Sequence, residues 1–137
     1  MTPAVQLNIA MKNAPGNLAN VSDMLRRADI NISAISSSEG SPSSIIHMIV
    51  SDPETAKIIL QPHWTVTSDD LIAFRAKNKP GAIAAIGRGC AGAGVNIRTI
   101  YSTSFGPDAM VYVLVDDMEK AVKFFKTWKD GIVKFIP

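Results

Sequence analysis

Apolar and polar positions alternate from the start of the chain. Val5, Leu7, Ile9 and Met11 are set against Gln6, Asn8 and Lys12. A period of two predicts a half-buried strand. After Pro15-Gly16 the period changes. Leu18, Val21, Leu25 and Ala28 follow at helical spacing and form one apolar stripe. Two extended runs, Ile30–Ser37 and Ile45–Val50, are joined by the polar stretch Ser38–Ser43 and predict a hairpin. Asp52 then caps a second helix, with Glu54 placed to suit the helix dipole. Trp64–Thr67 predict a short last strand.

The same pattern returns 65 positions later. Residues 13–60 fall on 78–125 without a gap. Asn13, Pro15 and Gly16 land on Asn78, Pro80 and Gly81. Asn31-Ile32 lands on Asn96-Ile97, and Asp52-Pro-Glu54 on Asp117-Met-Glu119. The second helical stripe is Ile83, Ile86, Cys90 and Ala93, the second hairpin spans Val95–Ser104 and Met110–Val115, and Ile132–Ile136 closes the pattern. A repeat fixes architecture before any local detail. The order strand, helix, strand, strand, helix, strand, read twice, predicts an α+β chain of two ferredoxin-like βαββαβ units with antiparallel sheets. Asp69-Asp70 marks the boundary, giving domains at 1–68 and 69–137 with hardly any linker. Units of this size bury little surface alone, so they are expected to pack side by side or on another chain. Ile46, Met48 and Val50 should face the helices. Ile45, His47 and Ile49, with Met110, Tyr112 and Leu114 in the repeat, give the sheet a second apolar face that calls for a cover.

Composition narrows the function. Hydrophobic residues make up 47%, and 14 basic residues stand against 12 acidic ones, a net charge of +2. That balance does not suggest a polyanion partner, so no nucleic acid is expected. The single cysteine, Cys90, excludes an intrachain disulfide and falls within a helical stripe as an inert buried thiol. The first residues lack a basic region followed by an apolar run, and no stretch approaches a membrane span. The expectation is a soluble, cytoplasmic protein with no membrane partner.

Catalytic signals are weak. Gly87-Arg-Gly89-Cys-Ala-Gly92 matches a dinucleotide fingerprint, but these glycines lie inside a helical stripe rather than in a strand-to-helix turn, and the first unit has none of them. Close packing is the expected role. His47 and His63 are the only histidines, and His47 corresponds to Tyr112. No carboxylate pair, nucleophile–base set or metal-ligating cluster recurs, so no catalytic residue, metal or cofactor is expected. What recurs is Asn-x-Pro-Gly before an aliphatic residue, with a later Asn at the second strand. Asn13-Ala-Pro15-Gly16-Asn-Leu18 pairs with Asn31, and Asn78-Lys-Pro80-Gly81-Ala-Ile83 with Asn96. Turn chemistry alone explains one such copy. Two copies suggest a ligand site. Glycine lets a ligand approach the backbone, helix-start N–H groups face an anion, and the Asn amide offers a donor and an acceptor.

These turns, together with Asp29-Ile-Asn-Ile, Gly94-Val-Asn-Ile and the element order, resemble the ACT domain, in two copies covering nearly the whole chain. The resemblance implies a regulatory module that binds a free amino acid, commonly where two domains meet. It is similar to the serine-sensing ACT domain of phosphoglycerate dehydrogenase, whose turn Asn and strand Asn hold the ligand from opposite sides of an interface. By that likeness the turn role falls to Asn13 and Asn78, and the strand role to Asn31 and Asn96. Pro15 and Pro80 shape the turns, while Gly16, Leu18, Gly81 and Ile83 contribute backbone groups. The serine-binding version carries a histidine two residues before the turn Asn; Met11 and Ala76 stand there, leaving a less complete polar site.

The resemblance thus implies a sensor for an amino acid or similar small carboxylate, similar to free-standing tandem ACT proteins. It would regulate a partner such as an enzyme of amino-acid metabolism and work as a homodimer. Two other classes compete. A small ferredoxin-like enzyme would show a cleft with paired titratable groups. An RNA-binding module would show stacked aromatics on its central strands, where only Phe74 and Tyr112 are offered. The Asn78 turn, with Lys79 beside it and Ala76 where Met11 stands, is expected to be the tighter site.

Overall fold

The computed structural model describes residues 4–38, 43–128 and 132–136. The described chain divides into two compact units, Val5–Asp69 and the part from Asp70 onward.

In the first unit, β1 (Ala4–Lys12) leads to α1 (Asn17–Arg27), β2 (Ile32–Ser38), β3 (Ser43–Val50) and α2 (Pro53–Leu60). Strand β1 pairs antiparallel with β3, placing Leu7 opposite Met48 and Ile9 opposite Ile46. Strand β3 also pairs with β2, giving the order β1-β3-β2. Leu7, Ile9, Met11, Ile46, Met48 and Val50 point to one side of this sheet. There they meet Val21 and Leu25 of α1 and Ala56 and Leu60 of α2 in one core. The alternation read from the sequence is therefore the alternation of burial. Most of the Ser38–Ser43 loop lies outside the described residues.

Strand β4 (Thr65–Lys77) is a single strand of 13 residues. The sequence suggested two short strands with a boundary at Asp69-Asp70. Extended backbone continues through those aspartates because Val66, Leu71, Ile72, Ala73 and Phe74 are all buried and favour strand on either side of the polar stretch.

The second unit continues with α3 (Ala82–Gly92), β5 (Ile97–Phe105), β6 (Asp108–Val115), α4 (Met118–Thr127) and β7 (Ile132–Ile136). Its sheet order is β7-β4-β6-β5, with every neighbour antiparallel. Ile72, Phe74, Val111 and Val113 meet Ile86 and Cys90 of α3 and Ala121 and Phe125 of α4. Both units carry the same irregularity where the second strand meets the third, between Ile32 and Ala34 and between Ile97 and Thr99. The repeat thus extends to a bulge.

On the opposite sheet face, Ile45 stays 41% exposed, His47 and Ile49 are half-buried, and Tyr112 and Leu114 are buried. No helix among the described residues is long and apolar enough to cross a membrane.

Candidate functional site

The four helices start in two different ways. In α2 the Asp52 carboxylate accepts from the Thr55 N–H at 3.1 Å, and in α4 the Asp117 carboxylate accepts from the Lys120 N–H at 3.0 Å. Hydrogen bonds from the Thr55 side chain and backbone hold the Asp52 carboxyl below its ordinary pKa. Helices α1 and α3 have no side-chain cap. Their N-cap residues are Gly16 and Gly81, at φ 88° and φ 91°. Pro15 and Pro80 precede the caps, and the left-handed glycines make the corner. A side-chain carbon at either glycine would meet nothing within 4 Å. Backbone conformation, not crowding, therefore demands glycine there.

Around each corner the turn residues gather. The Gly16 carbonyl accepts from Asn20 N–H and the Gly81 carbonyl from Ala85 N–H, both at 2.9 Å, starting the helical ladder. Asn13 and Asn78 are exposed. Asn78 is anchored to the β5–β6 hairpin, with its N–H donating to the Pro107 carbonyl at 2.9 Å and its amide reaching the Gly106 carbonyl at 3.5 Å. Leu18 and Ile83 stand just past the corners and remain 50% and 48% exposed. The apolar stripe is thus buried only from its second member, Val21 or Ile86, onward.

Asn31 and Asn96 lie elsewhere. Each sits one residue before its strand, not within it as the sequence suggested. The cause is a reciprocal backbone clasp. Asn31 N–H donates to Ser51 Oγ at 3.0 Å, and Ser51 N–H returns to the Asn31 carbonyl at 2.9 Å. Asn96 and Asp116 repeat it, at 2.9 Å to Asp116 Oδ1 and 3.1 Å back. Within a unit, the turn Asn and the clasped Asn occupy opposite ends of an 11-residue helix, roughly 16 Å apart along its axis. Neither unit by itself brings them together.

Two hollows accompany these residues. Beside Asn31 is an open one of about 470 Å³ with Asp23, Arg26 and Asp29 on its wall, and Asp29 holds a left-handed φ of 58°. Beside the Asn78 turn is a more enclosed one of about 230 Å³, walled by Ala76, Pro80, Gly81, Ala82, Ala85 and Trp128. Sequence reading missed Trp128 and Ala85 in this setting. The signal available was the aromatic run Phe124, Phe125 and Trp128 at helical spacing, which assembles with Phe74.

Other candidates resolve as structure. Gly89 lies beneath the Phe124 ring, which leaves no room for a side chain there, so the fingerprint-like glycines include one true packing site. Cys90 is buried, and that burial raises its thiol pKa. His47 joins a polar cluster with buried Gln6. Asn8 Oδ1 accepts from Gln6 Nε2 at 2.9 Å and faces His47 Nδ1 at 2.7 Å, while Asn8 Nδ2 donates to Asp69 Oδ2 at 2.8 Å. Among the described residues no three or more His, Cys, Asp or Glu gather as metal ligands.

The chain matches the family described as an ACT domain pair over residues 1–131. It is similar to protein BT0572 from Bacteroides thetaiotaomicron, at 30% identity over 97% of this chain and 93% of that one, with a TM-score of 0.90. The ligand-free regulatory subunit of aspartate kinase from Thermus thermophilus shares the fold at 16% identity over 91% of this chain and 92% of that one, with a TM-score of 0.69. The regulatory subunit of aspartate kinase from Thermus flavus does so at 17% identity, over 92% of each chain, with a TM-score of 0.66. No curated protein sequence matches the chain.

Proposed function

The chain belongs to the family of ACT domain pairs, and on that premise we propose that it is a sensor that binds a free amino acid, or a similar small carboxylate, at its Asn-x-Pro-Gly turns. The observation that carries this reading is the contrast between helix starts. Asp52 and Asp117 cap α2 and α4, whereas α1 and α3 begin at left-handed glycines with no side-chain cap. The N–H groups of Asn17 and Ala82 turn back to the Ala14 and Lys79 carbonyls at 3.4 and 3.3 Å. With no side-chain cap, the helix start still suits an anion, and the helix dipole adds to the attraction. A ligand carboxylate takes the place of the cap. The amide of Asn13 or Asn78, within the same turn, offers hydrogen bonds to the ligand's remaining polar groups.

Pro15 and Pro80 fix the approach to each corner, and exposed Leu18 and Ile83 flank it. Asn31 and Asn96 complete sites as the clasped residues of a second ACT unit. The protein acts as a homodimer in the cytoplasm and conveys occupancy to another protein, such as an enzyme of amino-acid metabolism. Its likeness in fold to regulatory subunits of aspartate kinase supports a regulatory role.

The test is a thermal-shift screen of the full chain against the twenty amino acids and their 2-oxo acids, followed by calorimetry. A ligand at 100 times its dissociation constant stabilises the protein by about 2.7 kcal/mol. Absence of any shift and any heat at millimolar ligand overturns the proposal.

A further inference from the structure

We infer that the turn at Asn78 selects amino acids with an apolar side chain of leucine to phenylalanine size, with Trp128 as the wall that sets the choice. This rests on the reading above, that the turn holds a free amino acid.

The hollow beside that turn has walls that are almost entirely hydrocarbon. Ala76, Pro80, Ala82 and Ala85 line it with methyl and ring carbons, and Trp128 closes it with an indole. Lys79 also lines it but is exposed, so its ammonium remains in water. A volume of about 230 Å³ is ample. An apolar protein cavity of about 150 Å³ accepts benzene. A hydroxyl, carboxylate or ammonium placed among these walls would give up water and find few partners in return.

The wall is preformed. The Trp128 ring stacks on Phe124, with centroids 6.0 Å apart and planes 19° from parallel, and meets Phe74 edge-on at 6.4 Å. Phe74 is fully buried, so the indole is braced against the core.

The first unit provides an internal control. Shifting by 65 positions places Met11, Asn17 and Asn20 where Ala76, Ala82 and Ala85 stand. Asn17 and Asn20 are polar, and Met11 is a larger side chain buried in the core. The amide of Asn17 folds back to donate to the Lys12 carbonyl at 2.6 Å. The backbone corner is shared by both copies, but the apolar wall set is not. The small apolar wall residues are therefore a specialisation of the second unit and not a by-product of the turn.

Calorimetry on the full chain tests this, with leucine and phenylalanine set against serine, aspartate and lysine. The apolar ligands should bind at least about tenfold more tightly, the discrimination that even one methylene achieves in an apolar pocket. Ala85→Leu fills the hollow and should weaken leucine binding by a similar factor. Trp128→Phe keeps a ring against Phe124 but shortens the wall, and should change the order of preference between leucine and phenylalanine. Near-ultraviolet circular dichroism verifies the fold of each variant. Serine, aspartate or lysine binding as tightly as leucine overturns the inference and leaves the sensor reading intact. So does a folded Ala85→Leu or Trp128→Phe variant with unaltered affinities. Silence from every amino acid overturns both.

Discussion

The ring of Phe124 occupies the space in which a side chain on Gly89 would begin. A flexible tip could swing away, but this ring also stacks on Trp128 and lies 5.0 Å from Phe125. Gly89→Ala should therefore cost about 1–3 kcal/mol, the usual range for overpacking a tight contact. Gly87 lies in the same helix with open space around it. Gly87→Ala should stabilise by up to about 1 kcal/mol through helix propensity alone. Urea denaturation of the two variants gives opposite signs if the contact is as described.

Tyr101 and Tyr112, the only tyrosines, stack with centroids 5.1 Å apart. Burial pushes the Tyr101 phenol up to about 12, with the neighbouring Tyr112 adding to it, and burial raises Tyr112 too. A phenol raised in the folded state contributes stability that is complete below its unfolded pKa of about 10 and is lost as pH climbs through the folded value. Ultraviolet titration should show no tyrosinate wave at pH 10 in the folded protein, and stability should decline between about pH 10 and 12.

The two turn asparagines should be unequal. Asn78→Ala should weaken amino-acid binding at least about tenfold, as expected for losing a hydrogen bond to a charged ligand group. Asn13→Ala should leave most of it, because the small apolar residues Ala76, Ala82 and Ala85 beside the Asn78 turn are replaced by Met11, Asn17 and Asn20 beside the Asn13 turn. Calorimetric titration of both variants decides, and equal losses would contradict the asymmetry.

Self-association is the fourth expectation. Ile45 remains 41% exposed on the sheet face turned away from the helices. Homo-oligomers close most often with two-fold symmetry. Light scattering at tens of micromolar should give twice the chain mass, and Ile45→Lys should lower it.

Much of this was legible in the sequence, and the duplication is why. One copy of Asn-x-Pro-Gly is a turn like any other, whereas two copies at one offset separate requirement from accident. Helix capping by Asp52 and Asp117 and the inward set Ile46, Met48 and Val50 follow from local chemistry and period, and both hold. Trp128 did not follow. Its role depends on Phe74, far away in sequence, and no local period encodes that meeting. The same holds for buried Gln6, which looks like an outward strand residue until Asn8 and His47 gather round it. The compact units do divide at Asp69-Asp70, but the polar pair does not break the strand, because the backbone follows the buried residues on either side.

The duplicated corner with an unduplicated apolar wall has a consequence for how a signal is read. A chain with one furnished seat counts one ligand. Its occupancy climbs along a simple saturation curve, graded over a wide span of concentration. Steepness, if cells require it, must then arise between chains and not within one. On the function proposed above, the protein works as a dial. Replacing Met11, Asn17 and Asn20 with the small residues of the other copy would be the direct way to ask whether a second seat converts the dial to a switch.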